Sequence, residues 1–122
     1  MNYDRSLFGS VKYACEGIWH AFTDNRNLRI AFLSAALVIV LGLYFQVTTI
    51  EMIILLITIL LVILTEMINT SIEEMVNLIT AERKREAKIA KDVSAGMVLT
   101  AVIGSVVLGI YVFAPYIFKL FN

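Results

Sequence analysis

The chain has 122 residues, of which 60% are apolar and only 16% charged, and its mean hydropathy is +0.85. Soluble domains are about 45–50% apolar, so this composition places the chain in a membrane, and the length fits a single domain, residues 1–122. Ten basic and ten acidic residues cancel. Without a basic face on a soluble domain nucleic-acid binding is excluded, and a single cysteine rules out an intrachain disulfide.

Residues 5–23 predict an amphipathic helix. At about 100° per residue, Leu7, Phe8, Val11, Ala14, Cys15, Ile18, Trp19 and Phe22 share one side, opposite Lys12, Tyr13, Glu16, His20 and Thr23. The segment is too polar to span, and Trp19 is a residue type of the membrane–water boundary. A helix lying on the membrane surface is expected, and packing against other helices is an equal and compatible alternative. No cleavable signal is apparent.

Asp24 to Arg29 reads as a polar turn in which Asp24 or Asn25 caps the next helix. The first span is expected over about 28–47, with small residues Ser34, Ala35 and Ala36 suited to close helix approach. The connection after Gln46 is short, so the first two spans form an antiparallel hairpin.

The second span, about 51–79, carries the most informative stretch of the chain. Glu66, Asn69, Glu73 and Asn77 fall within roughly 80° of one another on a helix, as one polar stripe. Glu66 and Glu73 are about 10 Å apart along the axis. An ionisable residue inside a span is costly and normally faces a bundle interior, a cavity or a partner. Interhelical polar contact is one reading of the stripe; a site at the membrane surface, with Glu66 serving a lipid headgroup and Glu73 something arriving from water, is the other.

Residues 80–92 are charged, with Arg83, Lys84, Arg85, Lys88 and Lys91. The third span is expected over about 93–115, with Ser94, Ala95, Gly96, Ser105 and Gly109 as small packing positions and Pro115 and Tyr116 at its exit. The excess of Lys and Arg before residue 30 and over 83–91 puts the N-terminus and the stripe on the cytoplasmic side, and the C-terminus outside. Carboxylates able to hold Mg²⁺ and lysines able to meet phosphate then share one layer.

No GxxxxGK[ST], GxGxxG or HRD/DFG set is present, and no Cys/His cluster suggests zinc. Phosphoryl transfer requires mainly positioning and charge neutralisation. A site built from helix side chains has a sufficient parts list in Glu66, Glu73 and Lys91.

The run E-x-x-N-[ST]-x-I-E at Glu66–Glu73, followed by A-K-I-A-K-D-V-x-A-G at Ala87–Gly96, resembles the bacterial membrane lipid kinases, diacylglycerol kinase and undecaprenol kinase. The likeness extends to Lys12–Ile18 and Arg26–Arg29, and the second motif is more similar to the undecaprenol kinase branch of Gram-positive bacteria. The resemblance implies an all-α protein, a surface helix plus three transmembrane helices, assembled as a homotrimer with active sites shared between subunits. It implies phosphorylation of a membrane alcohol by ATP and Mg²⁺ in the bacterial cytoplasmic membrane, undecaprenol first and diacylglycerol as the alternative. By that resemblance Glu66 is the catalytic base and Glu73 the Mg²⁺ carboxylate, supported by Asn69 and Asn77. Tyr13, Glu73, Glu82, Arg83, Lys84, Lys91 and Asp92 contact nucleotide, and Trp19, Ala95 and Glu66 border the lipid.

Three positions depart from the family pattern. A second metal-binding Glu is replaced by Asn25, with Asp24 as a possible substitute; the Tyr, His and Pro of an E-Y-H-P-L segment are lost in Glu82–Glu86; and a common Asp is Asn77. A neutral ligand removes charge, so weaker Mg²⁺ affinity is the expected direction. A small transporter with Glu66 on a proton or cation path, and a non-catalytic structural or regulatory family member, are the competing readings.

Overall fold

The computed structural model describes Tyr3 and residues 5–122. Among these residues it contains four helices and no strand: α1 (Leu7–Asp24), α2 (Arg26–Tyr44), α3 (Thr49–Ile79) and α4 (Arg85–Leu120).

The predicted six-residue turn between α1 and α2 contracts to one residue. Asn25 has an extended backbone, and its N–H donates to Ala21 O, closing α1. Its side-chain Oδ1 accepts from the N–H groups of Asn27 (2.9 Å) and Leu28 (3.3 Å), opening α2. Both helix ends have orphan groups that need partners, and a single Asn supplies both. Arg29, one turn into α2, donates to the Phe22 and Thr23 carbonyls at 3.0 and 2.7 Å. Its cation thereby sits on the negative end of α1.

The α2–α3 corner is equally tight. Val47 N–H donates to Gly42 O and Gln46 N–H to Leu43 O, a Schellman arrangement. Its left-handed position, normally glycine, is held here by Gln46 at φ 53°. Thr48 and Glu51 then form a reciprocal capping box that starts α3. A side chain in the left-handed region costs roughly 1 kcal/mol relative to glycine. Gln46→Gly is therefore expected to stabilise the fold by about 1 kcal/mol, read as a higher midpoint of thermal unfolding in detergent.

Helices α3 and α4 are about 46 and 54 Å long at 1.5 Å per residue, against a hydrocarbon core of about 30 Å. The overhang carries the polar residues. Arg85–Asp92, part of the charged segment ahead of the expected third span, forms the first two turns of α4, and only residues 80–84 connect the two helices. At the other end α4 runs through Pro115 to Leu120 rather than stopping there. A proline removes one backbone donor, a loss that membrane helices tolerate. Tyr116 Oη donates to Glu51 Oε1 at 2.6 Å and ties this end of α4 to the start of α3.

α3 is the hub, packing chiefly on α4 and then on α2, while α1 touches α2 and α3. Buried apolar residues (Leu28, Ala35, Leu55, Val112) share the interior with Thr58, Glu66, Asn69 and Ser94. The chain exposes 9376 Å², where a soluble protein of this mass exposes about 6,600 Å². Much of the exposed surface is contributed by Leu, Ile and Val side chains on every helix. α2, α3 and α4 are each long and apolar enough to cross a bilayer, and the chain is a membrane protein. Ser94 and Ser105 turn toward α3, whereas a Cβ at Gly96, Gly104 or Gly109 would meet nothing within 4 Å. Gly96 and Gly104 are exposed, while Gly109 borders the space between α2, α3 and α4.

Candidate active site

Glu66 is 6% exposed. It lies on α3 where the α1–α2 corner crosses, and Asn25 Nδ2 donates to its Oε2 at 3.3 Å and to Thr70 Oγ1 at 2.7 Å. Thr70 in turn donates to the Glu66 carbonyl. Among the described residues no hydrogen bond engages Oε1. A buried carboxylate held by a single neutral amide is poorly compensated, the arrangement expected of a group kept for chemistry rather than for stability.

Two helical turns on, Glu73 is exposed. Asn69, 8% exposed, donates through Nδ2 to Glu73 Oε1 at 3.2 Å and accepts from Ser94 Oγ at 2.7 Å. Glu73 Oε2 has no hydrogen-bond partner among the described residues, so one carboxylate oxygen is fixed and the other is open. A free carboxylate oxygen is one hard ligand of the kind Mg²⁺ takes alongside phosphate oxygens and water. Asn77 completes the stripe by accepting from Lys91 Nζ at 2.8 Å.

Two cavities flank this line of side chains. A pocket of about 670 Å³ is lined by Asn77, Glu82, Arg83, Lys84, Lys91 and Asp92, among others. Five of the seven residues expected at nucleotide therefore line one space rich in positive charge. Tyr13 and Glu73 are not in its lining; Tyr13 packs edge-on against Tyr3 at 5.2 Å. The second cavity, about 480 Å³, is an apolar cleft between α2, α3 and α4. Ile30, Val38, Leu55, Val106 and Phe113 are among its walls, and Glu66 is its one ionisable residue. Trp19 and Ala95, expected at the lipid, are exposed and line neither cavity; Trp19 stacks on Phe22 over a shallow space of about 280 Å³.

The two candidate metal positions near the corner are placed differently from Glu73. Asn25 commits its oxygen to the α2 N-terminus and its amide to Glu66 and Thr70. The Asp24 carboxylate pairs with His20 at 3.2 Å and clusters with the exposed Glu74 rather than with Glu73. Sequence reasoning gave Thr70 and Arg29 no role in the site and read Ser94 only as a small packing position. Thr70 lies inside the E-x-x-N-[ST] run, and its spacing from Glu66 was a usable signal; Ser94 and Arg29 act across elements and left none.

Residues 12–113 match the family described as prokaryotic diacylglycerol kinase. Over 105 residues the chain is 37% identical to a diacylglycerol kinase of Synechocystis sp., the alignment covering 85% of this chain and 60% of that protein, which is longer. It is 33% identical over 109 residues to an undecaprenol kinase of Bacillus subtilis, covering 89% of each. To a diacylglycerol kinase of Haemophilus influenzae it is 32% identical over 95 residues, 78% of this chain and 80% of that one.

Proposed function

The chain belongs to the prokaryotic diacylglycerol kinase family, a family of lipid kinases, and from that membership we propose that it moves the γ-phosphate of ATP to the hydroxyl of a membrane alcohol, undecaprenol in the first place. One observation carries the reading: Glu66, the only ionisable residue of an apolar cleft, stands at the end of it that faces the polar stripe. A long-chain alcohol lying in the cleft would bring its hydroxyl to Oε1. Glu66 takes the proton as the alcohol oxygen bonds to the γ-phosphorus; the bond from that phosphorus to the β,γ-bridging oxygen breaks, and ADP leaves with the electron pair. Asn25 holds the other oxygen of Glu66, which orients the base.

Lys91, with Arg83 and Lys84, meets the phosphates from the basic pocket. Glu73 stands between pocket and base, about 10 Å from Glu66 along α3. Mg²⁺ held by the open oxygen of Glu73 would neutralise phosphate charge during transfer. Asn25 sits close enough to Glu66 to matter here: Asn25→Glu should add a second carboxylate beside the stripe and lower the Mg²⁺ concentration for half-maximal activity severalfold. Titration of activity against Mg²⁺ checks this, and an unchanged requirement removes position 25 from the cation's surroundings.

We further propose that α1 lies on the cytoplasmic surface of the bacterial membrane, with the C-terminus outside. Leu7, Phe8, Val11, Ile18 and Trp19 are left uncovered by the rest of the chain, which supports a surface helix, and the Lys/Arg distribution supports the orientation. A homotrimer with shared sites accounts for the exposed glycines Gly96 and Gly104 of α4 and for Tyr13 and Ala95 not lining either cavity.

Undecaprenol is placed first because the A-K-I-A-K-D-V-x-A-G run is more similar to the undecaprenol kinase branch. Purified protein given labelled ATP, Mg²⁺ and equimolar undecaprenol and dioleoylglycerol should yield mainly undecaprenyl phosphate. Predominant phosphatidic acid assigns the diacylglycerol activity instead. Labelling of neither lipid sides with a proton or cation path through Glu66.

A further inference from the structure

The hydroxyls of α3 and α4 nearly all turn back on their own helix. Thr58, Thr65, Thr70, Ser71, Thr100 and Ser105 each donate to a carbonyl three or four residues earlier, the ordinary way to satisfy a hydroxyl in an apolar helix. Ser94 does not. It is 3% exposed, and its hydroxyl leaves α4 to donate to Asn69 Oδ1 on α3 at 2.7 Å.

That departure has a chemical reason. A carboxamide has two ends of nearly equal size and opposite chemistry. Ionised Glu73 only accepts, so Asn69 must turn its NH₂ toward Glu73, as it does at 3.2 Å. The amide oxygen is then driven into the buried α3–α4 seam, where an unpaired acceptor is costly. Ser94 is the donor that meets it. With alanine there, the amide oxygen would be buried without a donor, a cost that opposes the Asn69 conformation reaching Glu73.

We infer that Ser94 is a positioning residue for the cation-binding carboxylate. Through Asn69 it keeps Glu73 Oε1 engaged and leaves Oε2 open, and it touches neither nucleotide nor lipid itself. The inference rests on the reading of Glu73 as the cation ligand.

The test uses the full-length protein in lipid micelles. Mn²⁺ binding in the presence of a non-hydrolysable ATP analogue is followed by electron paramagnetic resonance, alongside the KM for lipid alcohol. Ser94→Ala is expected to weaken Mn²⁺ about tenfold, the size of effect seen when a partner of a metal ligand is removed, with the lipid KM unchanged. In an Asn69→Ala background the same substitution should do nothing further, because the route is already cut. Wild-type Mn²⁺ affinity in Ser94→Ala overturns the inference, and so does a full additional loss in the double variant. Glu73→Gln serves as the control. If it leaves Mn²⁺ binding intact, the reading of Glu73 fails and takes the inference with it; if it abolishes binding while Ser94→Ala has no effect, Ser94 alone is refuted.

Discussion

Glu66→Gln is expected to lower the rate of lipid phosphorylation by about 10²–10⁴-fold, the usual contribution of a positioned general base, while nucleotide still binds. The substitution is close to isosteric, and the Gln oxygen can accept the Asn25 amide that now reaches Oε2 at 3.3 Å. The α1–α2 corner should therefore keep its geometry, and what is lost is the capacity to take a proton. Removing an unpaired buried charge relieves a desolvation cost, so the variant should be at least as stable as the parent. Loss of turnover together with equal or higher thermal stability is a signature that misfolding cannot imitate. A variant that unfolds earlier and loses activity in proportion would mean that Glu66 serves the fold.

The second large effect is expected at Lys91. Its ammonium donates to Asn77 Oδ1 at 2.8 Å across the basic pocket, a neutral acceptor that leaves the positive charge available to an incoming phosphate. Lys91→Met should reduce kcat/KM for ATP by about 10²-fold and leave the KM for lipid alcohol unchanged, because the cleft does not include this residue. Lys88, one turn earlier, is exposed and already paired with Asp92. Its removal should matter far less, which separates a specific phosphate contact from a general loss of positive charge. Equal effects at the two lysines would argue for electrostatic attraction alone.

Much of this arrangement is legible in the sequence, and the parts that escape it have a common cause. Helical periodicity alone places Glu66, Asn69, Glu73 and Asn77 on one face, since residues seven apart return to nearly the same angle, and the Asn69–Glu73 bond agrees with that spacing. The ends of the elements are less readable. Polar residues 24–29 have the composition of a loop, yet Asn25 satisfies both helix ends at once, so Arg26 and Asn27 begin α2. The run from Arg85 to Asp92 is charged enough to read as a loop, but it is free of Gly and Pro and simply continues α4 into water. The partners of the stripe are the hardest to see. Asn25 and Ser94 come to α3 from the α1–α2 corner and from α4, 41 and 25 residues from the side chains they hold, and no local pattern encodes such a contact. Asp24 shows the same limit in reverse: adjacent to Asn25 in sequence, it faces His20 and Glu74 instead.

The central claim is that an oily alcohol at Glu66 and a nucleotide at Glu73 and Lys91 meet on one face of the membrane. Its most direct test is a single-turnover measurement of wild-type protein in bilayer nanodiscs containing undecaprenol, with γ-labelled ATP and Mg²⁺. Label should pass from ATP to undecaprenyl phosphate, and in Glu66→Gln it should stay on bound ATP. Transfer at the wild-type rate by Glu66→Gln, or release of label only as inorganic phosphate by the wild type, would contradict the account.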